Sequence, residues 1–76
     1  MKFAIIANPH KFEVKAVIEQ TIAWAKSNSI SLLISKETCD LTGAHDPSVI
    51  QETNSDKEAI DGCDVVVVIG GDGTIL

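Results

Sequence analysis

The chain has 76 residues, so it holds one small domain at most, and a chain this short buries only about 60% of the surface it exposes when unfolded. Its composition, 45% hydrophobic and 22% charged, is that of an ordinary soluble globular domain. A formal net charge of −5 argues against nucleic acid and anionic membranes as partners. The aromatic residues Phe3, Phe12 and Trp24 are too few for a base-stacking platform. An acidic chain also repels phosphates at long range. Any phosphate bound here must be met by local backbone N–H groups, by metal ions or by residues outside this segment.

Phe3-Ala4-Ile5-Ile6-Ala7 is a continuous apolar run closed by Asn8-Pro9. Such a run suits a parallel strand buried on both faces, and Pro9, which cannot donate to a ladder, stops it. From Phe12 to Lys26 the residues Val14, Val17, Ile18, Ile22 and Ala25 fall three and four apart, giving one stripe of a helix. Trp24 lies off that stripe and is expected to cover its edge. Lys26 suits the negative end of the helix dipole, and Ser27-Asn28-Ser29 breaks the pattern. Residues 30–34 form the second expected strand, so the first half of the chain reads as a βαβ unit.

In residues 35–54, Asp46-Pro47 reads as a helix cap followed by proline at the first helical position, leading into a short helix over residues 48–52. The stretch otherwise reads as a loop without recognisable chemistry. Ser55-Asp56-Lys57-Glu58 fits a capping box that opens a short helix ending at Gly62. Residues 64–69 then give the strongest strand signal in the chain, β-branched and apolar on both faces, expected in the middle of a covered sheet. The layout is β-α-β-α-β followed by a glycine loop. It is the front half of a three-layer, open, parallel α/β sheet of Rossmann-like type, cut off after that loop.

Cys39 and Cys63 form no Cys-x-x-Cys pair and, with two distant histidines, no metal set. They read as reduced, partly buried thiols. The opening residues are too short an apolar run for a signal peptide, and no segment reaches membrane-spanning length. The expected location is the cytoplasm.

The chemistry concentrates in Gly70-Gly71-Asp72-Gly73-Thr74, directly after the last strand. Ligands of open α/β sheets bind beyond the carboxyl ends of the strands. Three glycines in four residues let a phosphate approach the main chain. A carboxylate inside a pure phosphate grip would repel its ligand. Asp72 therefore makes sense acting on a hydroxyl or, through Mg²⁺, on phosphate oxygens. Thr74 is placed to cap a following helix. The P-loop pattern and the Gly-x-Gly-x-x-Gly fingerprint are both absent. The bland alternative is a strand-to-helix turn with Asp72 as a solvated cap.

Gly70-Gly71-Asp72-Gly73-Thr74 resembles the GGDGT signature of a kinase superfamily that holds NAD kinases, diacylglycerol and sphingosine kinases and 6-phosphofructokinases. The run Cys63 to Ile69 is similar to the strand that leads into that signature. Phosphofructokinases carry a glycine-rich loop after their first strand, where this chain has Asn8-Pro9-His10-Lys11. Lipid kinases follow the signature with an apolar residue, then Asn or His, then Glu, whereas Ile75 is followed here by Leu76. The pattern resembles the NAD kinase family best. A lipid-kinase segment and a non-catalytic nucleotide-binding module are the alternatives.

That resemblance implies transfer of a terminal phosphoryl group from ATP, or from polyphosphate, to the 2′-hydroxyl of the adenosine ribose of NAD, giving NADP. Asp72 would contact that hydroxyl as general base or orienting group. Gly70, Gly71, Gly73 and Thr74 would shape the phosphate pocket. Apart from the resemblance, Asn8 sits at the tip of the first expected strand, where a short amide can bind a ligand or tie the glycine loop. Mg²⁺ or another divalent cation would supply positive charge, with no protein side chain assigned as its ligand. The family also implies a second, β-rich domain that completes the NAD pocket, and a homodimer or homotetramer. Residues 1–76 would then be an incomplete N-terminal nucleotide-binding domain, inactive alone. His10, Lys11, His45 and Asp46 read as polar surface positions, and Glu52, Asp56, Glu58 and Asp61 as a solvated acidic face.

Overall fold

The computed structural model describes residues 1–8, 10, 11 and 13–69. Four strands and three helices alternate: β1 Lys2–Ala7, α1 Val14–Ser27, β2 Ser31–Ser35, α2 Lys36–Thr42, β3 Ile50–Thr53, α3 Asp56–Gly62 and β4 Val65–Ile69. The strands form one parallel sheet in the order β3-β2-β1-β4. The sheet builds outward from β1 through β2 to β3, then crosses back so that β4 lies on the other side of β1. This reversal between β1 and β4 is the topological switch point of a doubly wound sheet.

The helices cover both faces. Odd-numbered residues of β1 and even-numbered residues of β2 face one way. There Ile5, Leu32 and Ile34 pack with Val14, Ile18 and Ala25 of α1 and with Cys39 of α2. On the other face Ala4 and Leu33 pack against Ala59 of α3. The small side chains of Ala4 and Ala59 let α3 lie close to the sheet. Gly62 serves the same approach, since a Cβ there would sit 3.4 Å from the Leu33 side chain. Full burial of an Ile or Leu side chain is worth about 1.5–3 kcal/mol, so Ile5, Ile18, Leu32 and Ile34 dominate this thin core.

Local signals explain most boundaries. In α1, Val14, Ile18 and Ala25 are buried, and Ile22 packs at the edge of the core. Trp24 is 47% exposed and closes that edge with a tilted ring contact to Phe3, centroids 5.6 Å apart. The helix ends as the Asn28 N–H reaches the carbonyls of Trp24 and Ala25 and the Ile30 N–H reaches the Ala25 carbonyl. Between them Ser29 takes a left-handed φ of 56°. Ser55 caps α3 as expected, its Oγ accepting from the Glu58 N–H at 3.1 Å.

Two expectations are corrected. Residues 48–52 are not a helix. The Asp46 carboxylate accepts from both the N–H and the hydroxyl of Ser48, forming a turn that feeds the chain into β3. The preceding stretch folds as α2, capped by Ser35, whose Oγ accepts from the Thr38 N–H, and closed by Gly43 at φ 73°. β4 is not central either: within the described sheet it is an edge strand paired only with β1. Its apolar side chains are half-exposed, with Val66 at 43% and Val68 at 41%.

Candidate functional site at the β1/β4 crevice

The register of β1 and β4 fixes the geometry of the crevice. Phe3 pairs with Val65 and Ala7 with Ile69, so both strands end at the same level. The other end of the pair is pinned reciprocally. The Asp64 N–H donates to the Lys2 carbonyl at 2.7 Å, and the Asp64 carboxylate accepts from the Lys2 N–H at 2.8 Å.

Asn8 follows Ala7 directly and is exposed at the carboxyl end of β1. Its side-chain oxygen accepts from the His10 N–H at 3.0 Å, and its carbonyl accepts from the Lys11 N–H at 3.1 Å. Asn8 therefore organises the β1–α1 turn through its oxygen. Its carboxamide N–H₂ remains the group suited to a ligand's acceptor oxygens. His10 and Lys11 lie exposed on this turn. The sequence-predicted residues Gly70, Gly71, Asp72, Gly73 and Thr74 lie outside the described residues. The described structure brings Asn8 and Ile69 to the same end of the β1–β4 pair.

Among the described residues, two clefts lie against the sheet. One of about 230 Å³ opens at its carboxyl end, between Ala7, the β2–α2 junction (Ser35, Glu37, Thr38) and the β3–α3 junction (residues 54–56). Sequence reasoning missed Ser35, Glu37, Thr38 and Asn54 because it read residues 35–54 as a loop apart from the short helix expected over residues 48–52. The Ser35 cap and the Gly43 stop were the signals that would have revealed α2. The other cleft, about 410 Å³, is lined by His45, Asp46, Pro47, Ile50 and Glu52 along the outer strand β3. Residues 45–47 precede β3, so this larger cleft lies away from the carboxyl end of the sheet, where ligands of this architecture bind. His45 there stands 3.6 Å from Glu52 and 3.9 Å from Asp40, an ion pair only when the imidazole is protonated.

The acidic residues divide between elements. Glu52 belongs to the β3 edge, whereas Asp56, Glu58 and Asp61 lie exposed on α3, where Asp61 pairs with Lys57 at 3.2 Å. Among the described residues no three His, Cys, Asp or Glu side chains converge as a metal set. Cys39 is buried and its thiol is pushed up to about 11, by desolvation first and by the charges of Glu52 and Asp40 second. It is an inert core residue. No helix among the described residues is long and apolar enough to cross a membrane.

The fold places this chain among the open, doubly wound α/β domains, whose ligands sit at the switch point beyond the carboxyl ends of the strands. Comparison with known proteins gives the family. The model of the ATP-NAD kinase N-terminal domain matches residues 3–76, and this chain belongs to the NAD kinase family. It is 28% identical to an NAD kinase of Prosthecochloris aestuarii over 100% of the chain and 25% of that protein. It is 33% identical to an NAD kinase of Francisella tularensis subsp. novicida over 99% of the chain and 24% of that protein. The chain thus spans about a quarter of the length of the curated relatives it matches. No solved structure gives a significant match.

Proposed function

We propose that this chain supplies the nucleotide-phosphate side of an NAD kinase active site. The reaction moves the terminal phosphoryl group of ATP, or of polyphosphate, to the 2′-hydroxyl of the adenosine ribose of NAD, giving NADP. The observation that carries the reading is the common level of the β1 and β4 exits, Ala7 beside Ile69, in a chain of this family. It lets the Asn8 turn and the loop from Gly70 onward serve one ligand.

Phosphoryl transfer depends on positioning and charge neutralisation more than on covalent chemistry by the protein. Asn8 would offer its carboxamide N–H to phosphate oxygens while its Oδ1 holds the turn. The glycines Gly70, Gly71 and Gly73, with Thr74, would admit the phosphates to the backbone. Asp72 would orient the acceptor hydroxyl and take its proton. Mg²⁺ or another divalent cation accompanies the phosphates and offsets their charge.

The rest of the dinucleotide pocket would come from a β-rich domain beyond these 76 residues, in a cytoplasmic homodimer or homotetramer. The greater length of the relatives and the two unpaired thiols are consistent with that reading. The test is NADP formation from NAD, ATP and Mg²⁺ by the natural protein that carries this chain, with polyphosphate replacing ATP in a parallel reaction. NADP from either donor supports the reading. Absence of NADP with both donors refutes it.

A further inference from the structure

Among the described residues β3 is the outermost strand on its side of the sheet, and its outer backbone edge has no strand partner. The Leu32 N–H donates to the Val49 carbonyl at 2.8 Å, and the register from Leu32↔Ile50 to Ser35↔Thr53 continues that ladder. Successive residues of a strand turn their backbone groups to opposite sides, so those of Gln51 face β2 and those of Glu52 face outward. The Ile50 N–H is taken by the Asp46 carbonyl at 2.7 Å. The outer edge therefore presents the Ile50 carbonyl and both the N–H and the carbonyl of Glu52. These are the donors and acceptors with which an extended chain adds to a sheet.

The cleft of about 410 Å³ runs beside the same two residues, with Ile50 and Pro47 as its apolar lining and His45, Asp46 and Glu52 as its polar lining. Asp40 of α2 stands next to it, 3.9 Å from His45. Among the described residues no lysine pairs with Asp40, Asp46 or Glu52, and the chain has no arginine. The negative field reaches the core: burial first, then the charges of Glu52 and Asp40, push the Cys39 thiol up. A lysine or arginine side chain matches this cleft, with its stem over Ile50 and Pro47 and its cationic head among the carboxylates. A second copy of the chain does not, because pairing the two β3 edges would set one acidic edge against another in a chain of net charge −5.

We propose that the β3 edge docks a basic, extended segment of a partner polypeptide, which adds as a strand beside Ile50 and Glu52 and places a lysine or arginine side chain in the cleft between Pro47 and Glu52. Backbone bonds along the edge supply the register, and the carboxylates select the charge. The surface lies at the opposite end of the strand order from β4 and is independent of the kinase reading.

The probe is a short, capped, fluorescently labelled peptide of alternating lysine and valine, titrated by anisotropy into the natural protein that carries this chain. Two companion peptides replace lysine by glutamate or methylate the backbone nitrogens. The lysine peptide should slow exchange of the Glu52 amide and bind about tenfold more tightly than either companion, the scale of one hydrogen bond to a charged group. Glu52→Lys should weaken its binding by at least that factor, and Glu52→Gln by less. The position is exposed, and circular dichroism checks that both variants retain the fold. Failure of the lysine peptide to bind, equal binding of the glutamate or methylated peptide, or undiminished binding to Glu52→Lys overturns the proposal. So does a Glu52 amide already protected from exchange before any peptide is added.

Discussion

Ala7 and Ile69 stand side by side as the last residues of two parallel strands that belong to opposite windings of the sheet. Every β1 residue from Phe3 to Ala7 has its β4 partner in the same register, and the Lys2–Asp64 pair holds the far end. A shift of one residue would turn Ile69 from the buried face to the open one and misalign the two strand exits. The site is thus set by a pairing more than sixty residues apart in sequence.

The clamp can be tested first. Asp64→Ala removes the acceptor of the Lys2 N–H and leaves the backbone bond from Asp64 to Lys2. The expected result is a melting temperature lowered by a few degrees in a thermal scan, together with faster amide exchange along β4. Unchanged protection at Val66 to Val68 would show that the strands hold register without the carboxylate.

Asn8 holds the β1–α1 turn and is proposed to meet phosphate, and substitution separates the two roles. Asn8→Ala loses both the turn acceptor and the carboxamide N–H₂, and should raise KM for the nucleotide about tenfold. Asn8→Asp keeps an oxygen for the His10 N–H but places a negative charge where phosphate would sit. If Asn8 contacts phosphate, the Asp variant stays impaired or worsens. If it only shapes the turn, the Asp variant recovers normal KM.

Two left-handed positions should respond in opposite directions. Gly43 closes α2 at φ 73° with open space around its Cβ position, so Gly43→Ala suffers backbone strain alone and should cost about 1 kcal/mol. Ser29 adopts φ 56° at the end of α1, and Ser29→Gly should stabilise by up to about 1 kcal/mol. Chemical denaturation midpoints of the two variants should move apart from the wild type.

The two thiols should differ in reactivity. Cys39 is buried with its ionisation pushed up to about 11, whereas Cys63 is half-buried and bonded to the Ile60 carbonyl. Iodoacetamide at neutral pH should label Cys63 first, and Cys39 only on unfolding. Because the folded Cys39 thiol ionises later than the unfolded one, it binds more protons in the folded state between pH 9 and about 11. Stability is therefore fully present below pH 9 and falls as pH rises through that window. A Cys39→Ser variant should show a flatter alkaline limb in a pH-stability curve.

Much of this fold is legible in the sequence because its signals are local. The 3.6-residue stripe marks α1, the Ser55 capping box marks α3, and the unbroken β-branched run marks β4 as a strand. What local pattern does not carry is neighbourhood. β4 reads as central because it is apolar on both faces, yet among the described residues its one strand partner is β1. β3 is four residues long, with Gln51 and Glu52 exposed in its middle, so its pattern is too short to separate from a turn. Asp46-Pro47 misleads for a physical reason: the carboxylate that would cap a helix caps the Ser48 turn instead. The junctions that line the cleft at the carboxyl end of the sheet lie on either side of that misread stretch and come together through β2–β3 pairing. The crevice itself is half legible, since Asn8 at a strand tip is visible in the sequence but its alignment with Ile69 is not.

The most direct test of the central claim is the Asp72→Asn variant of the natural protein, followed by NADP formation and by calorimetric binding of ATP and NAD. If Asp72 orients and deprotonates the acceptor hydroxyl, NADP formation falls by at least about a hundredfold while both ligands still bind with near-normal affinity. Full NADP formation by that variant would contradict the account and return Asp72 to the role of a solvated turn residue.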